Sequence, residues 1–103
     1  MGLSVTTDRS GGVAVVAVTG ELDLATGPRL DEEIRAAVKD ATEVVVDLSE
    51  VRFLDSAGIA SLVRGRKAAE ARGVAYRVDG AAGMVRQVLE LTGILGHLTG
   101  ESV

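Results

Sequence analysis

The chain has 103 residues, eleven basic against fifteen acidic side chains for a net charge of −4, no cysteine, one tyrosine, one phenylalanine and no tryptophan. That length suits a single domain, residues 1–103, with a core of its own; the cysteine count excludes a disulfide framework, a zinc knuckle and a thiol nucleophile. The acidic balance and the shortage of aromatic rings disfavour phosphate-backbone attraction and base stacking, so direct binding to nucleic acid is not expected.

The hydrophobic fraction is 47%, yet the longest unbroken apolar run is Val13–Val18. A membrane-spanning helix needs roughly 20 such residues, so no membrane insertion is expected. The N-terminus, Met1-Gly2-Leu3-Ser4-Val5, has neither a basic region nor an apolar stretch of signal-peptide length, which points to the cytoplasm.

In chain order, Leu3–Thr7 alternates weakly, as a short edge strand does. Asp8-Arg9-Ser10-Gly11-Gly12 reads as a turn, because glycine takes positive φ at low steric cost. The β-branched run Val13–Val18 suggests a strand buried on both faces, and the first two strands pair most simply as an antiparallel hairpin. Thr19–Ala25 breaks that strand. A first helix follows, announced by Thr26, Gly27 and Pro28, with Thr26 or Gly27 as its cap. Leu30, Ile34, Ala37, Val38 and Ala41 form its inward stripe, and Asp31, Glu32, Glu33, Arg35 and Lys39 face water.

Glu43–Leu48 is the third strand, and Ser49–Leu54 leads to Asp55-Ser56, where a sheet hands the chain to a helix. From Ala57 to about Arg72 the spacing predicts a second helix with Ile59, Leu62, Val63, Ala68 and Ala69 inward, Arg64, Arg66, Lys67, Glu70 and Arg72 outward, and Gly73 as its C-terminal stop. Val74–Val78 is a fourth strand and Asp79-Gly80 a turn. A third helix uses Met84, Val85, Val88, Leu89 and Leu91, Gly93 can end it, and Ile94, Leu95 and Leu98 add a short closing turn. The order β-β-α-β-α-β-α gives an α/β domain with a mixed four-stranded sheet and helices packed largely on one face, since strands joined through helices run parallel with right-handed crossovers.

Several chemistries meet this sequence poorly. A hydrolytic serine needs a base, and the sole histidine, His97, lies far from Ser56 in sequence with no Gly-x-Ser-x-Gly elbow present. Gly20 is followed by neither nucleotide fingerprint. Asp23, Asp47 and Asp55 follow strands and could converge as a divalent-metal or phospho-aspartate site, with solvated or capping aspartates as the plainer explanation. Read from the residues alone, Ser56 is first of all an N-cap, and a site that binds or carries phosphate is the alternative.

Gly20-Glu21-Leu22-Asp23 before the first helix and Val51-Arg52-Phe53-Leu54-Asp55-Ser56-Ala57-Gly58-Ile59 before the second, in this element order, resemble the STAS domain family. The likeness runs from about Leu3 to Leu98 and is nearest to the freestanding anti-sigma factor antagonists. It implies that Ser56, the serine of the Asp-Ser-x-Gly motif, is phosphorylated by an anti-sigma factor serine kinase, with acidic Asp23 nearby. Ala57 departs from the Ser or Thr common at its position, which removes an alternative acceptor. The contact surface implied is Glu21, Asp23, Asp55, Ser56, Ala57, Gly58 and Ser61. The unphosphorylated form would bind the kinase and free a sigma factor, and phosphorylation on Ser56 would release the kinase. A PP2C-type serine phosphatase would reset a monomeric switch that needs no cofactor or metal and catalyses nothing. The alternative in the same family is a scaffold or accessory subunit of a stress-sensing complex or an ABC transporter.

Overall fold

The computed structural model describes residues 2–81 and Gly83. It runs β1 (Leu3–Ser10), β2 (Val13–Leu22), α1 (Gly27–Val38), β3 (Glu43–Leu54), α2 (Ser56–Ala71) and β4 (Ala75–Asp79). The expected third helix from Met84 to Leu91, Gly93, the closing turn with Ile94, Leu95 and Leu98, and His97 lie outside the described residues.

The sheet order is β1-β2-β3-β4. β1 and β2 form the expected antiparallel hairpin, and β2–β3 and β3–β4 are parallel. β1 is longer than its weak alternation suggested, so the turn shrinks to Gly11 and Gly12, both at positive φ (58° and 87°). Two such residues in succession suit a tight hairpin whose twist matches that of its strands.

Among the described residues, α1 and α2 lie against one face of the sheet. Across it run the register rows Ala14, Val44, Tyr76 and Val16, Val46, Val78, joined in the core by Leu30 and Ile34 of α1 and by Leu62 and Ala69 of α2. The expectation that Val13–Val18 is buried on both faces is therefore corrected: Ala14, Val16 and Val18 are buried, whereas Val13, Val15 and Ala17 are only half-buried. The β-branched run records fit to a pleated surface rather than cover on both sides.

Two further corrections shape the site. β2 does not break at Thr19. It passes through register shifts between Ala17 and Thr19 and between Gly20 and Glu21 and continues to Leu22. Gly20, at φ 110°, permits this, because a Cβ there would stand 2.2 Å from the Gly2 carbonyl oxygen. Likewise Ser49–Leu54 is no connector but the end of β3, paired with β2 down to Leu22 opposite Leu54.

α2 packs through small residues. Gly58, Ser61, Gly65 and Ala69 are buried beside Leu62, while Ile59, Val63 and Ala68 are only half-buried. At Gly65 a Cβ would lie 2.8 Å from the Tyr76 hydroxyl oxygen and 2.9 Å from Ile34 Cδ1, so any larger residue would push the helix off the core. The Tyr76 hydroxyl donates to the Leu62 carbonyl at 2.8 Å, and burial pushes its pKa far above the ordinary tyrosine value.

Two acids expected in water are drawn inward. Asp31, with only 14% of its side chain exposed, pairs with Arg64 at 3.0 Å across the two helices. Glu33 accepts hydrogen bonds from Thr7 of β1 at 2.8 Å and from Arg29 at 2.7 Å. The Arg29 guanidinium, then the Thr7 hydroxyl, hold its carboxyl below the ordinary carboxylate value. Arg66 is likewise half-buried rather than outward, and pairs with Glu70 at 3.3 Å.

Candidate functional site

Because β2 and β3 are parallel and end in register at Leu22 and Leu54, the residues that immediately follow, Asp23 and Asp55, emerge at the same end of the sheet. The Asp55 amide donates to the Leu22 carbonyl at 3.3 Å and closes the pair. Asp47 does not join them. It sits within β3 opposite Asp79 and accepts from the Ser49 amide at 2.9 Å, which removes the three-aspartate cluster. Among the described residues no group of three or more His, Asp or Glu side chains converges as metal ligands.

Each aspartate uses one oxygen to freeze its own turn. Asp55 is the N-cap of α2, with Oδ1 accepting from the Gly58 amide at 3.0 Å. The capping reading of Ser56 is thus corrected by one position: the cap is Asp55, and Ser56 is the first helical residue. Its hydroxyl is exposed and makes no hydrogen bond with another described residue. An aspartate serves as a cap as well as a serine does, and its acceptance of an amide of the first turn leaves the following side chain without structural duty.

Asp23 organises the β2–α1 turn in the same way. Its Oδ1 accepts from the amides of Ala25 at 3.0 Å and Thr26 at 3.1 Å, and its own amide donates to Thr26 Oγ1 at 2.9 Å. The Thr26 hydroxyl lies 2.8 Å from the Glu21 carbonyl, so Thr26 fastens the turn to the end of β2. Thr26 occupies the α1 cap position, as expected, but makes no side-chain cap to the helix.

The two turns are held together by close backbone approach. A Cβ on Gly58 would stand 2.5 Å from the Leu22 carbonyl oxygen, and one on Gly27 would stand 2.6 Å from Ser61 Oγ and 4.0 Å from the Ala57 carbonyl. Of the seven residues expected at the contact surface, Ser56 is exposed, Glu21, Asp23, Asp55 and Ala57 are half-buried, and Gly58 and Ser61 are buried. Ser61, at 0% exposure, offers no side-chain surface. Its hydroxyl accepts from Arg64 of the same helix at 3.0 Å and faces Gly27 of α1, where only a residue without a Cβ fits. Gly58 is buried where α2 approaches the end of β2.

The sequence reading missed Leu24, which lies in the turn fixed by Asp23 and is 79% exposed. An apolar residue standing alone in a turn, between an aspartate and the Ala-Thr that starts a helix, is the signal that could have found it. The concavity between α1 and α2, about 250 Å³ and lined in part by Asp31, Ile34, Arg64 and Gly65, includes none of the seven expected residues. Glu21 lines a separate concavity of about 200 Å³ with Gly2, Gly20 and Arg52.

The family profile described as "Mlab, STAS domain" matches residues 5–100. The anti-sigma-F factor antagonist RsfB of Mycobacterium tuberculosis is 45% identical over 58 residues, 55% of this chain and 48% of that protein, so the matched part spans about half the relative's length. The anti-sigma-B factor antagonist of Staphylococcus aureus is 30% identical over 95 residues, 91% of this chain and 88% of that one. Among solved structures, an anti-sigma factor antagonist from Mycobacterium paratuberculosis aligns with a TM-score of 0.83 at 32% identity, covering 94% of this chain and 82% of its own.

Proposed function

Since this chain belongs to the STAS domain family, we propose that it is an anti-sigma factor antagonist switched by phosphorylation on Ser56. In this reading it is a regulator that catalyses nothing itself, a role supported by relatives named as anti-sigma factor antagonists. Unphosphorylated, it binds an anti-sigma factor serine kinase and so frees a sigma factor. The Ser56 oxygen then displaces ADP from the γ-phosphorus of kinase-bound ATP, loses its proton and becomes a phosphoserine, and the complex parts. A PP2C-type serine phosphatase restores the hydroxyl. The whole chain works as one monomeric cytoplasmic unit, and the kinase brings the nucleotide and magnesium.

The observation that carries this reading is the exposed, uncommitted Ser56 hydroxyl at the first turn of α2, one residue after a helix cap that does not need it. Phosphate there adds about −1.5 to −2 charge. The start of the helix tolerates it, because the first amides point that way and the dipole favours negative charge. A partner seated on the same turn meets new bulk and charge beside Asp23 and Asp55. Modification thus changes binding far more than fold.

The test is the affinity of Ser56→Ala and Ser56→Asp for purified anti-sigma factor kinases of the same genome. Alanine is expected to retain binding and aspartate to weaken it at least about tenfold, or ~1.4 kcal/mol. Equal affinities would refute the switch, and co-purification of a transporter ATPase in place of a sigma regulator would assign the chain to the accessory-subunit branch of the family.

A further inference from the structure

We infer that Leu24 is the apolar anchor by which this chain grips its kinase partner, an inference that rests on the partner-switch reading above. The large hydrophobic side chains exposed among the described residues are Leu24, at 79%, and Phe53, at 40%. Both lie at the end of the sheet that carries Ser56: Phe53 pairs with Glu21 near the close of β3, and Leu24 is two residues beyond the end of β2. A single exposed leucine is ordinary on a protein surface. Leu24 is set apart by its place: it stands on the turn that follows β2, at the end of the sheet that also presents the modifiable hydroxyl, where an exposed apolar side chain is available to a partner.

The turn that carries Leu24 is rigid before any partner arrives. The Asp23 carboxylate holds the amides of Ala25 and Thr26, and the Gly27 amide donates to the Asp23 carbonyl at 2.8 Å. None of these bonds uses the leucine side chain, so the network fixes its backbone and leaves the side chain outward. With the backbone already ordered, seating the leucine costs little beyond its own side-chain freedom. The half-buried carboxylates of Glu21, Asp23 and Asp55 outnumber the exposed Arg52, which shares a concavity with Glu21, and leave this end negative on balance. The surface that fits it is an apolar cleft edged by basic side chains on the kinase, with Leu24 in the cleft and Ser56 beside it. Phosphate on Ser56 then lifts the leucine out of its cleft instead of merely repelling a distant charge.

The experiment measures, by calorimetry, the affinity of wild type, Leu24→Ser and Leu24→Met for the purified anti-sigma factor kinases of the same genome, with thermal unfolding of each variant alongside. Leu24→Ser is expected to weaken binding at least about tenfold with an unchanged melting temperature, Leu24→Met to stay within about threefold of wild type, and added salt to weaken wild type and Leu24→Ser by the same factor. Wild-type affinity in Leu24→Ser, while Ser56→Asp still weakens binding, overturns the anchor and leaves the switch standing. Salt-independent binding overturns the basic edge, and failure of the wild type to bind any of the kinases overturns both the anchor and the switch.

Discussion

Gly58 presses so closely on Leu22 that a Cβ at position 58 would stand 2.5 Å from the Leu22 carbonyl oxygen, with Leu54 Cδ1 at 2.7 Å. The start of α2 is thereby seated on the ends of β2 and β3, and the Ser56 turn inherits its position from that contact. Gly58→Ala is expected to destabilise the protein by about 1–3 kcal/mol from overpacking, although alanine is the better helix former by about 1 kcal/mol. Thermal unfolding should register a fall of about 5 °C or more for a domain of this size. A melting temperature equal to wild type would contradict the close seating.

Division of labour between Asp55 and Ser56 is read by denaturation. Asp55→Ala removes the acceptor of the Gly58 amide and is expected to cost about 1 kcal/mol. Ser56→Ala removes no bond among the described residues and should fall within about 0.5 kcal/mol of wild type. The reverse order would return the capping role to Ser56.

Gly27 and Ser61 form a pair whose variants should not add. Gly27→Ala brings a Cβ to 2.6 Å from Ser61 Oγ but leaves it 3.9 Å from Ser61 Cβ, an ordinary contact. The single Gly27→Ala change is expected to cost about 1–3 kcal/mol. In a Ser61→Ala background the cost should fall by roughly 1 kcal/mol, a coupling that a double-mutant cycle reads directly. Strict additivity would mean that the helices adjust without regard to the hydroxyl.

Acid stability should carry the mark of Glu33. Its carboxyl is held below the ordinary value of 4.5 by hydrogen bonds from Arg29 and then Thr7. A depressed folded-state pKa contributes stability that is complete above the unfolded-chain value and is lost as the pH drops through the folded-state value. Denaturant titrations of wild type and Glu33→Gln from pH 6 to about pH 3 should therefore converge as the solution becomes more acid. Parallel curves over that window would remove Glu33 from the acid response.

What the sequence disclosed follows its strongest local signals. The glycine pair at 11 and 12 marked the hairpin, valines 44 to 46 marked β3, and Gly73, at φ 69°, marked the end of α2. The nine residues from Val51 to Ile59 marked the junction that bears Ser56. Residues whose role depends on distance were hidden. Ser61 and Gly65 carry no hydrophobic signal, yet their smallness lets α2 close on Gly27 of α1 and on Tyr76 of β4, whereas Gly58 at the helix start was already readable as a close-packing position. The end of β3 was hidden as well, because Ser49, Glu50 and Arg52 look like loop residues, and among the described residues the strand past Asp47 pairs with β2 alone. Asp31 and Glu33 read as solvent-facing because helical periodicity does not reveal that Arg64 and Thr7 stand across from them.

The most direct measurement is intact-mass analysis followed by peptide mapping of this protein after incubation with ATP, magnesium and each purified anti-sigma factor kinase of the same genome. The expected result is one phosphate, on Ser56, with Ser56→Ala remaining unmodified. Phosphate on another residue, or none with a kinase that demonstrably binds the protein, would contradict the central role given to that hydroxyl.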